Sequence, residues 1–198
     1  MGGMARALGE GQRVDPRTRR TVAALQEALA GLVVTAPLSE VTVAELCRAA
    51  GLHRTTFYKH FSNIAELAET TITELLEQIG PRRSGGVSGY DAWLTALLDH
   101  VAARRRTYAA LLGPHGDPTL AATVIEQLIV RAGTALEPAA RDGADLGLDT
   151  ATAARVLGLG SYGLVASVLA DEDLDSAATA EAFTASLPRS WPPLLMVA

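Results

Sequence analysis

Between His53 and His60 the chain reads HRTTFYKH, a run of hydrogen-bonding side chains around a single phenylalanine. Wound as a helix from about Arg54 to Lys59, it places Phe57 and Phe61, four residues apart, on one face. The other face then carries His53, Arg54, Thr55, Thr56, Tyr58, Lys59 and His60. A surface so rich in donors and cations suits phosphate oxygens and the edges of bases. Arginine can pair with guanine through two parallel hydrogen bonds, and a threonine can offer its methyl group to thymine.

Such a face works only if another element holds it out. Thr42 and Glu45 are spaced to cap a helix start reciprocally, so a helix begins at Val43, with Leu46, Cys47 and Ala50 turned inward. Gly51 follows where a left-handed residue can end that helix without a Cβ penalty, and Leu52 plugs the corner. Two helices joined by a short glycine turn, the second apolar on one side and polar on the other, meet the requirements of a helix-turn-helix that enters the major groove. The glycine and the apolar spacing alone would also fit a plain helical hairpin.

The residues themselves go further. Thr42-Val43, Ala49-Ala50-Gly51-Leu52, Thr56-Phe57-Tyr58-Lys59-His60-Phe61 and Glu66-Leu67 together resemble the DNA-binding segment of TetR-type transcriptional regulators. The likeness spans Pro16 to about Gly80. It implies that Tyr58, Lys59 and His60 touch phosphates and that the opening residues of the recognition helix, Arg54 and Thr55, read bases. Thr42 is expected on phosphate as well. His53 departs from the pattern, because the family usually has a Ser or Thr cap there, and its ring is left to face DNA.

Composition agrees with a globular DNA binder. The 198 residues are 48% hydrophobic, enough for a substantial core in one or two domains. The formal charge of -5 is unevenly spread: up to Phe61 there are 8 Arg and Lys against 5 Asp and Glu, a balance of +3, and beyond it 9 against 17, a balance of -8. A basic head on an acidic body is the electrostatic footprint expected. The lone Cys47 excludes an internal disulfide and a cysteine zinc cluster, which fits a cytoplasmic protein. The N-terminus lacks an apolar stretch for a signal peptide. The longest uncharged run, Val156 to Ala170, falls short of the roughly 20 residues of a membrane helix, so no membrane partner is expected.

The pattern predicts an all-α protein. Residues 1–14 form an arm. Asp15-Pro16 starts a helix reaching Thr35, which closes a three-helix DNA-binding domain at residues 15–61. Asn63 and Glu66 cap a fourth helix, Ile64 to Ile79, and PRRSGGVSG is a linker, after which Ser88 and Asp91 restart helix. Tyr90 to Arg105, Tyr108 to Leu112, Pro118 to Leu136, Thr150 to Ala170 and Ser176 to Leu187 complete an α-helical effector-binding and dimerisation domain, residues 62–198, with a break from Glu137 to Gly147. Trp191, Leu194 and Leu195 are expected to pack on the body.

Three other features could carry chemistry. Gly158 to Gly163 is a literal G-x-G-x-x-G, which raises a dinucleotide-binding enzyme, but it falls inside a predicted helix with no strand before it. Small residues at Ala154, Gly158, Ser161 and Gly163 suit close helix packing instead, and the TetR resemblance implies that this packing is with a second copy of the chain, in a homodimer. The histidines His53, His60, His100 and His115 lack metal-ligand spacing, so neither metal nor cofactor is expected, and no catalytic residue. Trp93, Leu97 and Val101 make a core stripe. The resemblance implies a small-molecule pocket along the same helix, with Trp93, His100, Tyr108 and Tyr162 as lining residues. The resulting expectation is a TetR-like repressor released by an effector from double-stranded, pseudo-palindromic DNA. The alternative is a co-regulator whose body binds a protein.

Overall fold

The structure, a computed structural model, describes residues 15–79, 89–114, 116–188 and 191. The expectations for the N-terminal arm, the linker, His115 and the tail beyond Trp191 fall outside these residues. Every regular element among the described residues is helical.

Helix α1, Pro16–Val33, begins where Asp15 accepts a hydrogen bond from the Arg17 N–H at 3.0 Å, with proline supplying the first helical φ. Its buried Leu25, Leu29 and Val33 pack on α2, Val43–Ala49, and on α4, Ile64–Gln78. A 3-10 turn at Leu38–Glu40, which the sequence pattern did not single out, adds buried Leu38 to the core. The α4 start is capped twice. Asn63 Oδ1 accepts from the Glu66 N–H at 2.8 Å, and the Glu66 carboxylate accepts from the Ser62 N–H at 2.6 Å.

The body comprises α5, Tyr90–Ala103; α6, Arg105–Leu112; α7, Pro118–Arg141; α8, Thr150–Ala170; and α9, Ser176–Ser186. Helices α7 and α8 form the most extensive helix pair, and α5 lies against α8 and α9. Each of α7, α8 and α9 starts on an aspartate cap, Asp117, Asp149 and Asp175. Trp191 is buried, its Nε1–H donating to the Leu146 carbonyl at 2.7 Å, as the expectation of a packed tail required.

Two boundaries differ most from the periodicity. A break at Arg104 (φ -126°) divides the long helix expected from Tyr90 to Arg105, and the second segment starts at Arg105 rather than Tyr108. Helix α7 runs through Pro138 to Arg141, because burial of Leu136 and Ala139 on either side offsets one missing N–H bond. Helix α8 spans Thr150–Ala170 as expected, but the length of its uncharged run understates it, for α7 and α8 are each long and apolar enough to cross a membrane by length and composition. Here they pack on each other, with exposed Arg155 on α8.

Candidate nucleic-acid interface and body cleft

The Thr42 hydroxyl accepts from the Glu45 N–H at 3.2 Å while the Glu45 carboxylate accepts from the Thr42 N–H at 3.1 Å, so the predicted capping box is formed. The Thr42 hydroxyl also donates to the Glu45 carboxylate at 2.6 Å, and this bond, with the one from the Thr42 N–H, holds the Glu45 carboxyl below its ordinary value. Gly51 has φ +67° at the turn. The Leu52 N–H then returns to the Cys47 carbonyl at 2.8 Å, closing the helix end.

Helix α3 is shorter than expected, Arg54–Phe57, but its winding continues through the bonds of Tyr58 N–H to Arg54 and Phe61 N–H to Phe57. Phe57 is fully buried and Phe61 nearly so, their ring centroids 5.9 Å apart. These two rings fix the roll of the helix. His53, Arg54, Thr55, Tyr58 and Lys59 are consequently exposed together, with Thr42 exposed at the start of α2. Thr56 and His60 are half-buried at the margin. His53 makes no side-chain cap bond, in keeping with its departure from the Ser or Thr pattern.

Arg17, Arg19, Arg20, Arg48, Arg54 and Lys59 are all exposed in this head. None of them forms an ion pair among the described residues, where the single pair is Glu137 with Arg141. Among the described residues no group of His, Cys, Asp and Glu is placed to hold a metal ion.

A cleft of about 540 Å³ opens where α1 and α4 meet α5 and α6. His100 and Tyr108 are among its lining residues. Trp93 and Tyr162 are not. Trp93 is buried beside Tyr90, with the Arg131 guanidinium 5.0 Å over its ring, and its Nε1–H has no acceptor among the described residues. Tyr162 is half-buried on α8. The pattern along α5 gave the buried stripe but not which of its residues a tertiary gap would uncover.

Within the cleft the His100 ring lies 3.0 Å from the Tyr108 hydroxyl and 3.1 Å from the Arg104 guanidinium. Burial, and then the charge of Arg104, push the His100 pKa below 6.5. Burial raises the Tyr108 hydroxyl to about 12. On the facing wall the Gln26 amide donates to the Glu74 carboxylate at 2.9 Å, joining α1 to α4. Sequence reading passed over Gln26, Glu27, Glu74 and Gln78. The available signal was that Gln26 and Glu74 fall among the partly buried positions of α1 and α4.

The small residues of α8 face inward for the most part. A Cβ on Gly158 would lie 2.7 Å from the Ile129 backbone, and Ala154 is buried opposite Gly133. Ser161 is fully buried and shares a 2.9 Å hydrogen bond with the Tyr90 hydroxyl, which burial raises to about 12. The close approach assigned to a second copy at these three positions is thus made by α7 and α5 of the same chain. Gly163 is exposed with open space around it, and Val156 and Leu159 are exposed on the same helix. All three glycines of the G-x-G-x-x-G lie within α8, so the strand-to-helix turn that a dinucleotide site needs is missing.

Residues 27–71 match the family model described as bacterial regulatory proteins, tetR family. No curated protein sequence matches the chain. Among solved structures the fold is similar to that of NalD, the secondary repressor of the MexAB-OprM multidrug efflux pump in Pseudomonas aeruginosa, with 21% identity over 87% of this chain and 97% of that one and a TM-score of 0.61. It is also similar to the dihydroxyacetone kinase operon activator DhaS, with 14% identity, 83% and 92% coverage and a TM-score of 0.63. FadR from Bacillus subtilis, solved in complex with stearoyl-CoA, shows 16% identity, 83% and 94% coverage and a TM-score of 0.59. At such identities the likeness establishes a shared fold.

Proposed function

We propose that this chain, whose residues 27–71 match the model of the tetR family of bacterial regulatory proteins, is a transcriptional repressor of that kind that binds a pseudo-palindromic operator as a homodimer and leaves it when a small molecule binds the body. The carrying observation is the exposed polar face of α3, held out by Phe57 and Phe61 on a head whose exposed cations form no ion pair among the described residues. In this reading Arg54 and Thr55 touch base edges and Thr42, Tyr58 and Lys59 touch phosphates, with His53, Thr56 and His60 at the edges of the contact. The dimer is held by α8 and α9 through the face bearing Val156, Leu159 and Gly163. The protein acts by binding alone, without catalysis, in the cytoplasm.

Selection of bound sequences from random DNA tests the assignment. Arg54→Ala should cost about 1 to 3 kcal/mol and relax the preference at one position of each half-site, whereas Lys59→Ala should weaken all sequences alike and lower the salt slope by about one unit. Parental sequence preference and salt slope in both variants would sink it. The co-regulator alternative gains no support from the surface. Outside α8, the exposed large apolar residues among the described ones are Val34, Tyr58, Val130 and Leu148, which stand on separate segments.

A further inference from the structure

The cleft between head and body has a definite chemical character. Its volume of about 540 Å³ is that of a site for a small organic molecule. Leu29, Ile72, Leu75 and Leu111 give it apolar walls. Its charges are asymmetric. Glu27 of α1 and Glu74 of α4 stand on the head side, and among the described residues neither is in an ion pair. Arg104 is the single cation of the lining, on the body side, and it is directed onto the His100 ring. His100, kept from protonation by burial and by Arg104, adds no positive charge near neutral pH. The Glu74 carboxylate accepts one hydrogen bond, from Gln26, which leaves further lone pairs for a donor.

We infer that this cleft binds an organic cation, an amine or quaternary ammonium on an apolar body, with the positive group between Glu27 and Glu74 and the body against Leu29, Ile72, Leu75 and Leu111. The inference rests on the reading of the chain as a ligand-responsive regulator and deepens it, giving the effector a charge and a place. That place also supplies a physical route to switching. A cation at Glu74 competes with the Gln26 amide, the one side-chain hydrogen bond that joins α1 to α4 among the described residues. Binding therefore changes how the head is held on the fourth helix.

Three probes with the same phenylalkyl body separate charge from shape: phenylbutylammonium, phenylbutanol and phenylpentanoate, titrated calorimetrically into the full chain. The ammonium should bind about tenfold or more tighter than either other probe, because the carboxylate meets like charge and the alcohol meets none. Glu27→Gln and Glu74→Gln should each remove most of that preference and leave the alcohol unaffected. Ala30→Leu, which narrows the cleft without touching a charge, should weaken all three. Equal affinity for the ammonium and the carboxylate overturns the inference. So does an ammonium affinity unchanged in both glutamine variants, or no saturable binding of the ammonium at all. Anisotropy of labelled operator with the same variants keeps the two readings apart. Operator binding by the Gln variants leaves the regulator reading standing whatever the probes do, and its loss in the folded parent protein would strike that reading alone.

Discussion

His100 shows how much one side chain can report. Its folded pKa is depressed by burial and by Arg104, so the fold favours the neutral ring. The unfolded chain then takes up a proton more readily. The stability contributed by the neutral ring is fully present above the ordinary value of 6.5 and is lost as pH falls through the lower, folded value. His100→Gln should therefore melt with a shallower dependence on pH on the acid side of 6.5 than the parent, and equal slopes would mean that the ring is as free to protonate as in water. Glu45 has the same sign at its own lower range: its depressed carboxyl strengthens the α2 cap above the ordinary carboxylate pKa and releases it on acidification. The capping pair was legible from Thr42 and Glu45 alone because it involves residues three apart. The partners of His100 were not, since Tyr108 meets it only because the chain breaks at Arg104 and turns back.

At the scale of the element, the four small positions of α8 separate into two roles that spacing could not distinguish. Gly158→Leu would drive a side chain into the Ile129 backbone, and overpacking of this kind costs about 1 to 3 kcal/mol, so the protomer itself should melt at lower temperature. Gly163→Leu meets open space within the chain. It should leave the melting of a dilute monomer unchanged and alter only the self-association seen by light scattering. A Gly163 variant that melted as low as the Gly158 variant would contradict this division. Periodicity located α8 to its terminal residues, and the aspartate caps fixed where α7, α8 and α9 start. What it lacked was the occupant of each face. A stripe of small residues announces a close approach without saying whether the approaching backbone is α7 or another copy. Pro138 falls within the break the sequence predicts for a related reason: its local cost is visible in sequence, whereas the burial of Leu136 and Ala139 that outweighs it is tertiary.

For the whole molecule, the charge asymmetry and the location of the cleft lead to one thermodynamic requirement. If the amine cleft and the DNA face are coupled, operator DNA must weaken the amine by the same factor by which the amine weakens DNA, and a hundredfold effect corresponds to about 2.7 kcal/mol. Calorimetric titration of phenylbutylammonium with and without the selected operator measures this factor, and equal affinities would leave a DNA binder whose cleft does not control it. The end of α8 has a further consequence of its own. Arg105, the first residue of α6, donates to the Val168 carbonyl and, at 2.6 Å, to the Asp171 carbonyl, so the last turn of α8 is closed by a guanidinium instead of by water. Helix ends ordinarily fray and exchange their amide hydrogens quickly, and this one is clasped. Amide hydrogens near Val168 should accordingly exchange with deuterium almost as slowly as those at the middle of the helix. In Arg105→Ala that end should become fast while Leu157 keeps its protection, and unchanged slow exchange there would show that the clasp adds nothing to the packing on α7.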